Sequence, residues 1–147
     1  MIATEIIPNL WIGDIRSALD LKFLKRCKIT VIINCTTKHP FPDHNSTQIR
    51  VAIRDRGIQE DIDLMYEYLH SIVPTIYKLL SDGERVLIHC YAGCHRSVSL
   101  VLGFLIRYGH MSLQEAIDTL QSKWRRIGLH FSPSLCRYAL SIAPRTS

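Results

Sequence analysis

The sequence predicts an α/β fold: a central, largely parallel, twisted sheet of about five strands, flanked by helices. Strand-like segments alternate with helix-like segments along the chain. One of them, "ITVIINCT" at 29–36, is a continuous β-branched run, typical of a strand that is buried on both faces. The 147 residues, 47% of them hydrophobic, are enough for a real core, and we expect one domain over 1–147.

The first half of the chain contains most of the expected strands. "EIIPNLWIG" predicts a short strand that ends at Gly13. Helical spacing in "SALDLKFLKRC" predicts a helix, for which Ser17 is the expected N-cap. Beyond the strand at 29–36, prolines and Asx residues in "KHPFPDHN" indicate a loop, and "QIRVAI" is a further candidate strand.

The second half is mainly helical. A helical stripe of apolar residues runs over 62–80, and Pro74 within it predicts a kink or two consecutive helices. "RVLIH" predicts a strand, and "SVSLVLGFLIRY" predicts a buried helix with Gly109 as its C′ residue. "SLQEA" begins the next helix with a capping box, and a last helix is expected over about 133–142.

The net charge and the composition indicate which classes of binding partner to expect. The net charge of +5 favours anionic partners, such as phosphorylated groups or nucleic acid. Nucleic acid is disfavoured as the main partner, because the basic residues are scattered apart from "KWRR" at 123–126 and no aromatic residues are interleaved with them. The chain has no run of about 18 apolar residues, so we expect no membrane span.

Cysteine usage indicates the compartment. Five cysteines, an odd number at irregular spacing, do not fit a disulfide framework and indicate a reducing environment. The N-terminus also lacks the basic region and the cleavage site of a secretory signal. We therefore expect a cytoplasmic or nuclear protein.

The segment "RVLIHCYAGCHRSVSLV" at 85–101 is the leading site candidate. Its loop leaves a strand and enters a helix, where α/β sheets bind ligands. Backbone amides of 91–95 and the helix N-terminus can hold an anion and lower the pKa of the Cys90 thiol, and Gly93 allows a close backbone approach. Arg96 can bind two phosphate oxygens, and Ser97 can donate a hydrogen bond to the sulfur of Cys90. These properties suit phosphate chemistry.

The same residues carry a family resemblance. "HCYAGCHRS" matches His-Cys-x5-Arg-Ser/Thr and resembles the cysteine-dependent protein tyrosine phosphatases, in a form similar to their dual-specificity branch. "IIPNLWIGDIRSALD", "KITVIINCT" and "MSLQEAIDTLQSKWRR" resemble other parts of that branch. The resemblance implies a dual-specificity phosphatase-like fold and a phosphocysteine at Cys90. It also implies that Arg96 binds the phosphoryl oxygens and that no metal or other cofactor takes part.

The resemblance also implies an aspartic acid on a separate loop that protonates the leaving oxygen. Asp55 is the preferred candidate because it lies in a loop upstream of Cys90, where the family has its acid. The segment between the two residues is a few residues longer here than is usual in the family. Asp61 and Asp63 are rivals, but they begin the next helix, where acidic residues commonly offset the helix dipole. The alternative for Asp55 is a solvated loop carboxylate between two arginines.

The remaining residues of the loop have supporting roles. His89 is expected to hydrogen-bond the loop and to tune the thiolate. The side chains of Tyr91, Cys94 and His95 are expected to line the rim or to pack behind the loop, and no chemical step is assigned to them. The expected phosphate-binding loop consists of Tyr91, Ala92, Gly93, Cys94, His95 and Arg96. Relatives often have Pro-Asn before the last helix, where this chain reads "IGLHFSPSLCRY", so we do not expect the usual asparagine support of the loop.

Two other interpretations of the loop are open. A metal site made of His89, Cys90, Cys94 and His95 is disfavoured, because all four lie within seven residues and no second ligand cluster exists. A redox role, in which Cys94 traps oxidised Cys90, is a secondary hypothesis about regulation.

The expected function is that of a protein phosphatase acting on phosphotyrosine and phosphoserine/phosphothreonine, with phosphorylated proteins as partners. The alternatives are RNA 5′-phosphates or phosphoinositides as substrates, and a non-catalytic phosphoprotein-binding module. The presence of cysteine, arginine and acid together disfavours the module. Because the chain begins almost at its first strand, it leaves little room for a dimerisation helix, and we expect a monomer.

Overall fold

The central sheet has five strands in the computed structural model, which describes residues 1–143. They are β1 (Ala3–Ile7), β2 (Leu10–Gly13), β3 (Val31–Asn34), β4 (Thr47–Arg50) and β5 (Val86–His89). The strand order is β1-β2-β5-β3-β4, with β1 and β2 antiparallel and the other neighbours parallel. The prediction of a largely parallel five-stranded sheet is therefore confirmed.

Within residues 1–143, six helices flank the sheet: α1 (Ile15–Leu19), α2 (Leu21–Arg26), α3 (Gln59–Ser81), α4 (Arg96–Tyr108), α5 (Leu113–Gln121) and α6 (Ser132–Ile142). Every residue of β2, β3 and β5 is buried, as expected for strands covered on both faces. Alternate side chains of these strands enter two separate apolar clusters, the larger one with α3 to α6 and the smaller one with α1 and α2. The apolar core thus fixes the sheet from both sides. No helix within residues 1–143 has the length and apolar character needed to cross a membrane.

The prediction for the first helix was wrong in two respects. The N-cap is Asp14, whose side chain accepts hydrogen bonds from the backbone N–H groups of Arg16 and Ser17. Ser17 lies inside α1 and donates its hydroxyl to the carbonyl oxygen of Asp14 at 2.7 Å. The helix also breaks at Asp20, because this residue has an extended backbone and its side chain caps α2.

Pro74 does not divide α3, which is a single helix of 23 residues. Met65 and Leu69 before the proline and Val73 and Ile76 beside it are all buried in the same core. Continuous packing of this apolar face favours one helix, despite the backbone hydrogen bond that a proline removes.

The end of α4 also differs from expectation. Gly109 has φ −86° and is the C-cap, whereas the left-handed conformation falls on His110, with φ 56°. Histidine tolerates this region better than most residues do. The capping box of Ser112 and Glu115 at the start of α5 is present as predicted, and α6 begins within one residue of the expected position.

Candidate active site

The predicted phosphate-binding loop lies between β5 and α4. Cys90 follows the last residue of β5, the loop begins at Tyr91, and α4 begins at Arg96 with His95 as its N-cap. His89 is paired in parallel register with Asn34 of β3 and with Gly13 of β2, so three strands end beside the loop. This is the carboxyl edge of the sheet, where open α/β sheets bind ligands.

Four consecutive carbonyl groups of the loop are held from outside. The backbone N–H of Ile15 donates to the carbonyl oxygen of Tyr91 (2.9 Å), and the guanidinium of Arg126 donates to that of Ala92 (3.1 Å). The indole N–H of Trp124 donates to the carbonyl oxygen of Gly93 (2.8 Å), and the backbone N–H of Gly128 donates to that of Cys94 (2.9 Å). In a planar trans peptide the N–H points away from the C=O. The N–H groups of residues 92–95 therefore point into the loop, where they can bind an anion.

Gly93 is required at its position by two observations. Its φ is +71°, in the left-handed region that favours glycine. A Cβ there would lie 2.9 Å from the Trp124 ring and 3.1 Å from the carbonyl oxygen of Gly13. The close approach of these groups fixes the curvature of the loop.

The candidate nucleophile lies at the bottom of the loop. Cys90 is only 2% exposed, and its sulfur is 3.2 Å from the hydroxyl oxygen of Ser97, which is fully buried in the first turn of α4. The predicted contact between these two side chains is therefore present. A hydroxyl at this distance can donate to a thiolate and stabilise its charge.

Arg96 has a free donor as well as an anchor. One terminal nitrogen of its guanidinium, Nη1, donates to the carbonyl oxygen of Ile53 at 3.0 Å. Its buried Nε has no hydrogen-bond partner among residues 1–143. A buried charged donor without a partner is costly unless a ligand satisfies it, and a phosphoryl oxygen is a suitable acceptor.

His89 is the fully buried support of the loop. Its Nδ1 lies 3.0 Å from the carbonyl oxygen of Cys90, so Nδ1 carries the proton and donates it. Burial lowers the pKa of His89 to about 4, a shift that the hydrogen bond to Cys90 opposes. The imidazole is therefore neutral at physiological pH and contacts the backbone of the nucleophile rather than its sulfur.

Two histidines bind the carboxylate of Asp55, and one of them, His95, belongs to the loop. His95 and His130 donate their Nδ1 protons to the two oxygens of its carboxylate, at 2.6 Å and 2.9 Å, and their rings stack with centroids 3.7 Å apart. Burial alone would raise the pKa of Asp55, but the hydrogen bonds from His95 and His130 and the nearby charge of Arg96 together lower it. The carboxylate is thus ionised in this arrangement.

The rival carboxylates lie elsewhere. Asp61 is buried and takes three hydrogen bonds from Arg56, through its backbone N–H, Nε and Nη2. Asp63 accepts from Gln59 and from Arg137 on α6, at 2.8 Å and 2.9 Å. Both rivals are engaged in structural pairs, whereas Asp55 contacts His95, a residue of the loop itself.

Sequence reasoning missed the outer support of the loop. Arg126 binds both Ala92 and the buried carboxylate of Asp14, and Trp124 binds Gly93. Both residues belong to the "KWRR" cluster, which was visible in the sequence without any sign of its location. The N–H of Gly128 supplies a contact to the loop within the segment that lacks the family's usual Pro-Asn.

The remaining loop side chains lie at the rim. Tyr91 is 55% exposed and stacks on His39 at 5.0 Å. Burial, and secondarily the charge of Cys90, raise the pKa of the Cys94 thiol. All five cysteines are free, so the Cys90–Cys94 bridge stays a hypothesis about the oxidised protein.

The residues of the disfavoured metal interpretation do not form a ligand cluster. Within residues 1–143, one group of side chains has its ligand atoms close enough together to hold an ion, and it consists of Asp55, His95 and His130. His130 was missed by sequence reasoning altogether, since a lone histidine 40 residues beyond Cys90 carries no signal of its contact with Asp55.

A family model for the catalytic domain of dual specificity phosphatases matches residues 10–139. The chain belongs to the dual-specificity phosphatase family. It is 30% identical to human dual specificity protein phosphatase 9 over 131 residues, which cover 87% of this chain and 33% of that protein. With mouse dual specificity protein phosphatase 2 the identity is 28%, over 87% of this chain and 39% of that protein. The chain thus spans about a third to two fifths of these relatives.

Two solved structures share the fold of this chain. A mouse protein described as a dual specificity phosphatase, in complex with zinc tungstate, superposes with a TM-score of 0.85 and 25% identity, covering 99% of this chain and 94% of that one. A human tyrosine phosphatase-like serine/threonine/tyrosine-interacting protein gives a TM-score of 0.82 and 25% identity, with coverages of 96% and 98%. The fold inferred from the sequence motif is therefore confirmed.

Proposed function

We propose that this protein hydrolyses phosphate monoesters on tyrosine, serine and threonine side chains of proteins, through a phosphocysteine at Cys90. The observation that carries the proposal is the loop itself. The loop combines inward-pointing N–H groups, an Arg96 Nε that has no hydrogen-bond partner among residues 1–143 and the sulfur of Cys90 beside the Ser97 hydroxyl. Together these groups suit the binding of one phosphoryl group. Family membership and the names of the relatives support the same activity.

In the first step, the Cys90 thiolate attacks phosphorus and the bond from phosphorus to the leaving oxygen breaks. The loop amides and Arg96 stabilise the negative charge of the transferring phosphoryl group. Protonated Asp55 transfers its proton to the leaving oxygen, which departs as a neutral alcohol or phenol. The products of this step are the dephosphorylated residue and a phosphocysteine.

In the second step, water attacks the phosphocysteine and Asp55 accepts one of its protons. The bond between phosphorus and sulfur breaks, and Cys90 leaves as a thiolate. The hydrogen bond from Ser97 stabilises that leaving thiolate, which is consistent with the 3.2 Å separation of oxygen and sulfur. Inorganic phosphate is released and the enzyme returns to its starting state.

Asp55 must take up a proton before the first step, although its pKa is lowered in the ligand-free arrangement. A dianionic phosphate in the loop adds negative charge beside Asp55, and like charge favours the protonated acid. Substrate binding therefore raises the pKa of Asp55, whereas the hydrogen bonds from His95 and His130 lower it. The two histidines hold Asp55 in place, and their hydrogen bonds to it weaken once it is protonated.

We also propose that residues 1–147 act as one catalytic domain, as a monomer, in the cytoplasm or nucleus. The family model covers 10–139, and all five cysteines are free, which suits a reducing compartment. The exposed stack of Tyr91 on His39 gives the site an open aromatic rim, on which a phosphorylated peptide can lie.

The test is hydrolysis of p-nitrophenyl phosphate in EDTA, with the Cys90→Ser protein as the inactive variant. Cys136→Ser is the matched control, because that thiol is exposed on α6 and outside the loop. We expect activity in the wild type and in the control, and its loss in Cys90→Ser. An inactive wild type would leave the binding module as the better account.

Substrate class requires a second assay. A panel of phosphotyrosine, phosphoserine and phosphothreonine peptides is compared with phosphoinositides and triphosphorylated RNA at equal concentrations. Protein phosphatase activity predicts the highest kcat/KM on the peptides. A preference for RNA or lipid substrates would overturn the substrate class while leaving the phosphocysteine chemistry intact.

A further inference from the structure

We propose that Asp55, His95 and His130 form a binding site for a divalent transition-metal ion, with zinc as the favoured occupant, and that occupancy inhibits the phosphatase by removing its general acid. The binding site stands on the geometry of the three side chains alone. Its inhibitory consequence rests on the proposed function.

The ligand atoms already converge. One ligand atom from each of Asp55, His95 and His130 lies within 4.8 Å of the other two. In both rings Nδ1 is the atom that contacts the carboxylate. The two nitrogen–oxygen distances are 2.6 Å and 2.9 Å, whereas neighbouring ligands of a tetrahedral zinc ion are about 3.3 Å apart. Each ring nitrogen therefore needs to move only about half an ångström away from the carboxylate to reach the spacing of zinc ligands.

The surrounding contacts orient the rings toward this point. His95 is the N-cap of α4, and its Nε2 packs against Gly128, where any side chain would overlap with the ring. The ring of His130 stacks on that of His95 with an interplanar angle of 13°. Both Nδ1 atoms are thereby directed at the same carboxylate. Gly128 thus has two functions, since its N–H also binds the loop at Cys94.

The donor set selects the class of metal. Two imidazoles and one carboxylate suit zinc and its neighbours in the transition series, whereas magnesium and calcium prefer oxygen ligands only. Three protein ligands leave a fourth position for water or an anion, as in open zinc sites. The side chains of Asp55, His95 and His130 are 25%, 22% and 48% exposed, so an ion can reach them from solvent.

Proton balance follows from the present hydrogen bonds. Asp55 is ionised and only accepts, so each Nδ1 carries a proton in the metal-free state. On metal binding each neutral ring keeps its proton on Nε2 instead, and a ring that is doubly protonated releases one to solvent. Arg96, whose charge acts on Asp55, opposes the incoming cation and limits its affinity.

The binding test uses zinc chloride titrated calorimetrically into Cys90→Ser/Cys94→Ser protein, which excludes binding to the loop thiols. We expect one site that weakens by at least about tenfold when His95→Ala or His130→Ala is added, since even the loss of a group that only orients a ligand costs about 10- to 100-fold. His110→Asn is the matched control, because this exposed histidine lies outside the cluster and asparagine tolerates its left-handed backbone. Equal affinity in all variants would overturn the site.

Imidazole nitrogen NMR gives a readout that is independent of affinity. Zinc binding predicts that the His95 and His130 signals change from Nδ1–H to Nε2–H tautomers. Unchanged tautomers at saturating zinc would overturn the proposal even if heat were released. Circular dichroism of each variant checks that it is folded.

The inhibitory consequence is measured on active protein. Zinc is expected to inhibit hydrolysis of phosphotyrosine peptide in the wild type, reversibly with EDTA, at about tenfold lower concentration than in His130→Ala. Equal zinc sensitivity of the two proteins would overturn the inhibition. An inactive wild type that still binds zinc at this site would refute the phosphatase function and leave the metal site standing.

Discussion

Neutral, buried His89 makes a specific contribution to the pH dependence of stability. Its pKa is about 4 in the folded protein, mainly because of burial, against 6.5 for an ordinary histidine. Between these two values the unfolded chain binds a proton that the folded protein does not. Stability from this residue is therefore fully present above pH 6.5 and is lost as the pH falls toward 4. From pH 7 to pH 5 the expected loss is about 2 kcal/mol.

The assay is urea unfolding at pH 7 and at pH 5, for the wild type and for His89→Asn. The asparagine amide can donate to the carbonyl oxygen of Cys90 in place of Nδ1, but it does not titrate. We expect the pH dependence of the variant to be smaller by about 2 kcal/mol. Asp14 and Asp61 are also ionisable and paired, but their pKa values are lowered from the ordinary value of 3.8. The stability that they contribute is therefore present above pH 3.8 and is lost only below it, outside the range of this assay.

His110→Asn serves as the control for loss of an imidazole, since that side chain is exposed. If His89→Asn retained the full pH dependence of the wild type, His89 would be protonated in the folded protein, and its role as a neutral donor that supports the loop would be wrong.

Three substitutions test the remaining parts of the site. Asp55→Asn is expected to lower kcat on phosphotyrosine peptide by about 10²- to 10⁴-fold. The loss on p-nitrophenyl phosphate is expected to be smaller, because its leaving group needs little protonation. Equal losses of kcat on both substrates would reject Asp55 as the acid. Ser97→Ala is expected to slow breakdown of the phosphocysteine by about 10- to 100-fold, seen as a burst of product in stopped flow, and the absence of a burst would count against its role. Gly93→Ala is expected to cost about 1–3 kcal/mol of unfolding free energy in urea, because of its φ of +71° and the nearby Trp124 ring, and a neutral effect would contradict the tight loop.

The sheet and the phosphate loop could be predicted from the sequence because their signals are local. Continuous β-branched runs such as 29–36 predict strands buried on both faces, and the Cys-x5-Arg spacing sets the position of the loop at the end of β5. The capping box of α5 is likewise determined within four residues.

Other features depended on competition between local signals. Ser17 is a good N-cap by type, but Asp14 is also a good one, and its carboxylate additionally binds Arg16 and the distant Arg126. Pro74 removes a helical hydrogen bond, yet the buried apolar face of α3 keeps the helix whole. Tertiary contacts decided both cases, and the local pattern does not contain them.

The contacts around Asp55 could not be predicted at all. His95 and His130 are 35 residues apart in the chain, and their rings meet only because the segment after α5 returns to the loop through Gly128. The sequence gives no indication that either histidine contacts the candidate acid. The same holds for Trp124 and Arg126, which hold the loop carbonyls from outside.

Trapping the covalent intermediate shows whether Cys90 is the nucleophile of a phosphatase. The Ser97→Ala protein is mixed with phosphotyrosine peptide, quenched in acid within the first turnover and digested for mass spectrometry. A phosphocysteine catalyst predicts a phosphate adduct on the peptide that contains Cys90, appearing and decaying at rates that match turnover. Turnover with no adduct on Cys90, or with the adduct on another residue, would exclude Cys90 as the nucleophile.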